Sequence, residues 1–238
     1  MKVVLYLILT ILPFFTNAQE KVVMNDKNIV LRDLSEFNGI HIKGPFKVYF
    51  SQGPKYAVGV SASTESARDK IVTRVSAGIL HVEVEGTNIG WWGKSPEFKV
   101  YISSPVIKNI QASGAVNFLV TDMIKADELN LRFTGASDFS GKLQCNSVIL
   151  SFTGASDVEV MGSSEKLVAD LTGASKFSGA AFKVVDAELK ATGASTIKIS
   201  VSGALGAIAS GASTIVYYGS PKSLSTKASG ASSVKKGN

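Results

Sequence analysis

Hydrophobic and polar residues alternate along several segments in the second half of the chain. Leu129, Leu131 and Phe133 are separated by single polar residues, and apolar residues recur at every second position across 148–152 and 167–171. A period of two is typical of a β-strand that buries one face. The same segments are rich in Thr, Ser, Gly, Val and Ile, a composition that favours strand over helix. We therefore predict stacked β-strands in this half of the chain.

A short motif repeats through these segments at a nearly constant interval. It reads Thr-Gly-Ala or Ser-Gly-Ala, and the spacings between its successive glycines are 21, 19, 19, 20, 18 and 19 residues. The seven glycines are Gly114, Gly135, Gly154, Gly173, Gly193, Gly211 and Gly230. This period is that of a β-solenoid, whereas helical repeats need about 33 residues or more. We predict an all-β fold, a right-handed parallel β-helix or solenoid with coils of about 19 residues and a less regular, β-rich N-terminal part.

The motif glycines are predicted to form a structural corner. A coil has to bend to return to its starting edge, and glycine permits both a positive φ and a close approach of neighbouring backbones. Alternation places Gly135 on the same face as Phe133. It directs towards the interior the serines that follow six of the Gly-Ala pairs, namely Ser137, Ser156, Ser175, Ser195, Ser213 and Ser232. Thr134, Ala136 and their equivalents then form an outward row of hydroxyl and methyl groups. As an alternative to a purely structural corner, this row is a flat surface for sugar or ice.

The first half of the chain is predicted to contain shorter strands and one helix. The strands are expected at 40–42, 46–50, 58–60, 72–75, 80–84 and 98–102. Segment 63–70 has Ser and Thr at possible cap positions followed by an acidic first turn, which predicts a short helix. No flexible linker separates the halves. Residues 19–111 and 112–238 are therefore predicted to form one continuous body in which the first part covers one end of the solenoid.

Residues 1–18 have the features of a signal peptide. Met1-Lys2 is followed by an apolar run over 3–12, and Thr16 and Ala18 stand at the small-residue positions of a cleavage site. We expect the mature chain to begin near Gln19 and to be exported to the periplasm, the outer surface or the medium. No later stretch reaches the roughly 18 to 20 apolar residues that a transmembrane span needs.

Composition and charge exclude several classes of protein. The 238 residues are 45% hydrophobic and 18% charged, which excludes an intrinsically disordered chain. The net charge is +6, but only four basic residues are arginine and no long basic run occurs, so nucleic acid is not expected as a partner. Cys145 is the single cysteine. It is expected to be a small, partly buried side chain without an internal disulfide.

No group of residues predicts a reaction centre or a cofactor site. His41 and His81 are expected to face solvent on strands without a third ligand, so no metal is assigned to them. Asp138 and Asp157 are expected about 5 Å apart in adjacent coils. Cation binding there is left open, although Lys176 occupies the next coil. No catalytic, cofactor-binding or metal-ligating residue is therefore predicted.

Trp91 and Trp92 are the candidate ligand-binding residues. The pair lies between Gly90 and Gly93, and adjacent side chains on a strand point to opposite faces, so both indoles cannot enter one core. An exposed indole offers an apolar face and an N–H donor for a sugar ring or a partner protein. The alternative is that the two side chains cap the end of the solenoid.

The order of several short motifs resembles a known family. Phe37-Asn38-Gly39-Ile40 precedes Gly44-Pro45-Phe46-Lys47-Val48-Tyr49-Phe50, and Leu80-His81-Val82, a strand ending in Ser104-Pro105 and the Ser-Gly-Ala repeats follow. Over residues 36–232 this order is similar to the auto-transporter adhesin family with a head GIN domain. The resemblance implies a secreted or surface-associated β-solenoid without established enzymatic activity. It supplies no catalytic residues, and the cysteine that lipoprotein members carry after the signal peptide is missing here.

Two classes of function remain open from the sequence. We favour a non-enzymatic, adhesin-like module that presents a rigid solenoid surface to polysaccharide or to an envelope or surface protein. The alternative is a polysaccharide-active enzyme of the parallel β-helix type, which would need clustered Arg, Lys and acidic residues in a cleft. Arg132 is the only arginine in the repeats, which disfavours the enzyme. The oligomeric state is left open.

Overall fold

The protein is a β-solenoid in which almost every repeat residue belongs to a strand. A computed structural model describes residues 26–86 and 96–238. It is 73% strand and contains about seven turns of ~19 residues. The predicted all-β solenoid is thereby confirmed. The predicted helix is confirmed as one turn, Glu65–Arg68, whose N-cap Thr64 accepts a hydrogen bond from the backbone N–H of Ala67.

The elements are numbered here in chain order. Before the repeats they are β1 (Val30–Arg32), β2 (Gly39–Lys43), β3 (Phe46–Gln52), β4 (Ala57–Ala62), α1 (Glu65–Arg68), β5 (Ile71–Ser76), β6 (Ile79–Val84), β7 (Phe98–Ser104) and β8 (Asn109–Gly114). In the repeats they are β9 (Asn117–Gly135), β10 (Asp138–Gly154), β11 (Asp157–Gly173), β12 (Lys176–Gly193), β13 (Thr196–Val201), β14 (Ala204–Gly211), β15 (Thr214–Tyr218), β16 (Ser223–Gly230) and β17 (Ser233–Lys236).

The repeat strands pair in parallel with equivalent residues opposite one another. Leu150 in β10 is in register with Leu131 in β9 and with Ala169 in β11, and β12 continues the same order. Strands β13 to β17 extend it in two ladders, β12–β14–β16 and β12–β13–β15–β17. This register follows from the period, because each coil returns to the same place one strand spacing, about 4.8 Å, further along the axis.

The coils before the repeats stack in an order that differs from their order in the chain. β2 lies between β6 and β8, and β3 lies between β7 and β9, with all these pairs parallel. The coil of β6 and β7 therefore lies outside the coil of β2 and β3, although it follows that coil in sequence. Strands β1, β4 and β5 add antiparallel pairs β1–β4, β4–β7 and β5–β6 at this end.

The interior is filled by columns of apolar side chains, one from each coil. The rings of Phe133 and Phe152 are fully buried and stacked, with their centroids 4.8 Å apart. Phe118 contacts both Phe133 in the repeats and Phe50 in β3. Each buried Phe contributes roughly 1.5–3 kcal/mol relative to an exposed one, and stacking adds to this. The core therefore continues from the N-terminal coils into the repeats.

No break in the sheet accompanies the predicted division of the chain at residue 111. Strand β8, Asn109–Gly114, runs across that position and pairs with β2 on one side and β9 on the other. The division into 19–111 and 112–238 stays a prediction, as does the signal peptide at 1–18, which lies outside the described residues.

Candidate functional site

The motif glycines stand in a single column along the solenoid. The strand register pairs each glycine with its equivalent in the next coil, from Gly114 to Gly230. Their φ angles lie between +74° and +120°, in the left-handed region that favours glycine. A Cβ on Gly173 would also overlap the carbonyl oxygen of Gly154. Both observations support the corner role that the sequence predicts for these residues.

The glycine column differs from the expected alternation in one respect. Phe133 is buried but Gly135 is exposed, because at its positive φ the Cβ direction points along the stack towards the preceding coil. The column also begins earlier than the repeats. Gly44 has φ of +126°, and its carbonyl oxygen lies 3.0 Å from the position of a Cβ on Gly114. The sequence indicates only a strand break at Gly44, because no Ala-Ser follows it.

The serines after the corner point into the interior, as alternation predicts. Ser137, Ser175, Ser195 and Ser213 are buried, and each donates a hydrogen bond to the carbonyl oxygen of the motif glycine in the preceding coil, at 3.2–3.3 Å. Each of these carbonyl oxygens also accepts a backbone N–H from the alanine of the same motif as the serine, so the serine adds a second donor and satisfies its own buried hydroxyl. Ser156 is different, since its buried Oγ has no hydrogen-bond partner among the described residues.

The outward row beside the corner is formed as expected. Its alanines are exposed, and its Thr and Ser residues are exposed or half-buried. Some of the hydroxyls bond along the stack: Thr134 Oγ1 donates to the carbonyl oxygen of Ala112 at 3.5 Å, and Ser210 Oγ donates to Thr192 Oγ1 at 3.4 Å. The row therefore uses part of its hydrogen-bonding capacity within the protein.

A groove of about 1310 Å³ follows the stack at another corner. It is lined by equivalent segments of successive coils, 106–109, 125–128, 144–146, 163–165 and 183–185, together with Gln52, Asn130 and Ser202. Its floor is the in-register column Ala126, Cys145 and Ser164. The column continues with Val184, which is in register with Ser164, and longer polar side chains stand on both sides of it.

The backbone under the groove is held by side-chain hydrogen bonds. The ladder on both sides of β10 omits Asn146, and Ser164 Oγ lies 3.3 Å from the carbonyl oxygen of Asn146 and 2.7 Å from that of Lys166. At one end Gln52 donates to the carbonyl oxygens of Pro105 and Lys125 and accepts from the N–H of Lys125. These bonds make the groove a fixed feature of the stack.

Polar side chains dominate the groove walls. Five are amides, namely Gln52, Asn109, Asn130, Gln144 and Asn146. Three are lysines and three are carboxylates, namely Lys108, Lys125, Lys183, Asp127, Glu128 and Glu165. The side chain of Asn146 donates to Asp127 at 3.1 Å and that of Asn130 to Glu128 at 3.0 Å. The formal charge of the lining is therefore zero, and two carboxylates are held by amides.

Cys145 does not supply a nucleophile to the groove. The side chain is 6% exposed, and burial raises the pKa of its thiol, although backbone hydrogen bonds from Ala126 and Gln144 oppose the rise. A thiol with a raised pKa is protonated at neutral pH and therefore reacts slowly.

The two histidines lie closer together than the sequence indicates. His41 and His81 are register partners on β2 and β6, and their rings meet edge to face with centroids 5.5 Å apart. Both are half-buried rather than fully exposed to solvent. Burial, with the charges of Arg74 and His41, lowers the pKa of His81. Within residues 26–86 and 96–238, no group of three or more His, Cys, Asp or Glu side chains is arranged to hold a metal ion.

The other candidate residues are two aspartates in adjacent coils and the two tryptophans. Asp138 and Asp157 lie in adjacent coils, where the N–H of Asp157 donates to Asp138 Oδ1 at 3.3 Å. Lys176 is in register with Asp157, so the three charged residues occupy equivalent positions in successive coils. Trp91 and Trp92 lie outside the described residues, and their role as ligand-binding residues stays a prediction.

Sequence reasoning missed the groove, although a signal for its floor is present. Ala126, Cys145 and Ser164 each stand nine residues before a motif glycine, namely Gly135, Gly154 and Gly173. Aligning the coils on their glycines would therefore have indicated a column of small residues. The walls carry no such signal, because Lys125, Gln144 and Ser163 share no residue type from one coil to the next.

Three solved structures of bacterial proteins are similar in fold to this chain. The crystal structure of a putative adhesin from Bacteroides fragilis has 19% sequence identity to this chain and a TM-score of 0.79. The match covers 98% of that chain and 89% of this one. A second putative adhesin, from Parabacteroides merdae, has 17% sequence identity and a TM-score of 0.66. The match covers 97% of that chain and 89% of this one. A third structure, of a putative lipid binding protein from Parabacteroides distasonis, has 18% sequence identity and a TM-score of 0.66. The match covers 98% of that chain and 89% of this one. At these identities the likeness concerns the fold.

Two further findings bear on the class of protein. No curated protein matches the sequence. Among the described residues, none of the helices has the length and hydrophobicity required to cross a membrane. The family model described as "Putative auto-transporter adhesin, head GIN domain" matches residues 36–221, which is most of the chain and includes the groove and the glycine column from Gly114 to Gly211. The chain therefore belongs to the auto-transporter adhesin family with a head GIN domain.

Proposed function

We propose that this protein is an exported, non-enzymatic binding module that attaches to polysaccharide through the groove. An adhesin-like role follows from the family and its structural neighbours. The observation that carries the finer proposal is the groove itself, a fixed polar concavity formed by equivalent positions of successive coils. A surface with the same spacing in every coil, about 4.8 Å, matches a polymeric ligand better than a compact one.

The chemistry of the lining favours a sugar over a lipid. Amide side chains offer donors and acceptors together, and each sugar hydroxyl is itself both a donor and an acceptor. An acyl chain would instead require an apolar cavity. Ile149 and Val168 are neighbouring apolar side chains that are 38% and 42% exposed. They lie on an outward strand face and do not form a cavity.

Two elements of the proposal concern residues outside the described part. Trp91 and Trp92 would add stacking contacts to a sugar ring. Residues 1–18 would direct export, so that the module acts in the periplasm, on the outer surface or in the medium. An adhesin family is consistent with an extracellular or surface location.

Retention on immobilised polysaccharides tests the proposed function. The chain from Gln19 onward would be applied to neutral and anionic polysaccharides and, in parallel, to phosphatidylcholine and phosphatidylglycerol vesicles. We expect retention on at least one polysaccharide, no binding to vesicles, and weaker retention of the Trp91→Ala/Trp92→Ala variant with an unchanged circular dichroism spectrum.

Three outcomes would count against the proposal. Binding to vesicles alone would indicate a lipid ligand, and absence of retention on every polysaccharide would overturn the binding function. Release of reducing ends or unsaturated sugars would favour the polysaccharide-active enzyme. Equal retention of the tryptophan variant would remove Trp91 and Trp92 from the site and leave the groove as the binding surface.

A further inference from the structure

We infer that the groove binds a linear, uncharged glycan that lies parallel to the solenoid axis, with about one sugar unit per coil. The inference rests on the proposed function and specifies its ligand class, its orientation and its length. Four observations support it: the charge balance of the lining, the concentration of amides, the position of apolar side chains and the spacing of the coils.

The charge balance disfavours an ionic ligand. Three lysines and three carboxylates line the groove, and Asp127 and Glu128 already accept hydrogen bonds from Asn146 and Asn130. A polyanion would meet three carboxylates along its length, and a polycation would meet three ammonium groups. An uncharged polymer gains hydrogen bonds to both kinds of group, which are among the stronger hydrogen bonds, without like-charge repulsion.

Amide side chains are concentrated in this groove. The described residues include ten Asn and Gln side chains, and five of them line it. Gln144 and Asn146 are exposed, on β10 near the middle of the stack. They flank Cys145 on the groove floor, so both reach the concave side. Amides at such positions provide the paired donor and acceptor that neighbouring hydroxyls on one sugar ring require.

Apolar contact is available towards both ends of the groove. Val106 and Val185 are each 46% exposed and line the first and the fifth of the six coils that form it. Sugar rings have apolar C–H faces as well as polar edges, so a chain that lies along the groove can pack rings against these side chains while the amides bind its edges.

The spacing of the coils determines the length of ligand that fits. Six successive coils contribute to the lining, from segment 106–109 to Ser202, and five steps of about 4.8 Å give a length of roughly 24 Å. One hexose in an extended chain advances by a distance close to this step. The groove can therefore present a similar set of groups to each of about six sugars.

A length series with matched variants tests the inference. Isothermal titration would use neutral oligosaccharides of increasing length (β-1,4-glucan, β-1,3-glucan, β-1,4-mannan, β-1,4-xylan and chitin series) and polygalacturonate oligomers as the anionic comparison. For at least one neutral series we expect Kd to fall with each added sugar up to about six and then to level off, with little dependence on salt.

The matched variants separate the groove from other surfaces. The Gln144→Ala/Asn146→Ala variant should raise Kd by about tenfold or more, because each lost hydrogen bond contributes about 1 kcal/mol. The Gln111→Ala/Asn117→Ala variant removes one Gln and one Asn that are equally exposed but lie outside the groove, and it should bind as the unchanged protein does. Circular dichroism and Tm confirm that both variants fold.

The outcomes distinguish this inference from the proposed function. If a neutral series binds but the two double variants bind equally well, or if affinity does not depend on length, the groove assignment is wrong and the binding function stands. If only polygalacturonate binds, the uncharged ligand class is wrong. If no polysaccharide or oligosaccharide binds, the proposed function itself fails.

Discussion

At the residue scale, the corner depends on two residues with different roles. Glycine adopts the positive φ and leaves space for the carbonyl group of the preceding coil. The serine two residues later donates a hydrogen bond to that carbonyl oxygen in four of the coils. The motif repeats because each coil encounters the same backbone geometry, which is the reason why a residue pattern could predict it.

Replacement of a corner glycine should destabilise the protein strongly. Gly173→Val places a branched side chain at φ of +96° and against the carbonyl oxygen of Gly154, and should lower the free energy of unfolding by about 3 kcal/mol or more. Gly206→Ala is the control, since the nearest atom to its Cβ position is 4.0 Å away and its φ is not positive. That control should change stability by no more than about 1 kcal/mol, in the stabilising direction. Equal midpoints in urea unfolding for the two variants would show that the column is not a strained corner.

The corner serines should differ in a predictable way. Ser175→Ala removes the hydrogen bond to the carbonyl group of Gly154 and should cost about 1 kcal/mol. Ser156→Ala removes a buried hydroxyl without a partner among the described residues, so it should be neutral or stabilise by up to about 1 kcal/mol. Thermal unfolding of the two variants checks this, and a larger loss for Ser156→Ala than for Ser175→Ala would contradict it.

At the element scale, one carboxylate links the N-terminal segment to two strands. Asp26 accepts hydrogen bonds from Tyr101 Oη on β7 at 2.7 Å and from Ser61 Oγ on β4 at 2.9 Å. Burial raises the pKa of Asp26, but these bonds, the N–H of Asn28 and the charge of Lys99 together lower it below its ordinary value. The carboxylate form is therefore favoured by the folded state. Burial, together with the contact to Asp26, raises the pKa of Tyr101.

This link should make part of the stability depend on pH. Because the folded-state pKa of Asp26 lies below the unfolded value of about 3.9, its stabilisation is complete above that value and is lost as the pH falls through the folded-state pKa. Asp26→Asn should cost about 1 kcal/mol at neutral pH, after allowance for partial exposure. In urea unfolding the difference from the unchanged protein should shrink towards zero in acid. A difference that persists unchanged below pH of about 2 would contradict the ionic origin.

Whole coils should behave as interchangeable elements. Deletion of residues 155–173 removes one coil and joins Gly154 to Ala174, so that the motif and the alternation remain intact. Each coil contacts only its neighbours, and the shortened protein should therefore fold, with a moderately lower Tm and a similar circular dichroism spectrum per residue. Deletion of 155–164 breaks the period and should prevent folding. The full-coil deletion also removes segment 163–165 from the groove, so the length series should level off about one sugar earlier.

At the scale of the whole molecule, the sequence predicted the repeats better than the first half. The period and alternation determine which residues of 112–238 lie opposite one another, because every coil has almost the same length. In the first half, alternation identifies the strands β2, β3, β6 and β7 but not their neighbours. The coil of β6 and β7 stacks outside that of β2 and β3, and this order depends on tertiary packing between segments that share no period.

The candidate site shows the same difference. The corner glycines carry their signal in their own identity, because few other residues tolerate their backbone geometry. The groove arises where Ala126, Cys145 and Ser164 align, and a small residue is compatible with many positions in a sheet. Its function depends on the combination of charges and amides around that column, which only the register brings together.

The most direct measurement is a crystal structure of the protein with a neutral oligosaccharide of about six sugars, chosen from the series that binds. We expect a single extended chain in the groove, parallel to the solenoid axis, with Gln144 and Asn146 within hydrogen-bonding distance of sugar hydroxyls and each sugar beside a different coil. A chain bound across the coils, on the outward Thr and Ala row, or away from segments 125–128 and 144–146 would show that the groove is not the glycan site.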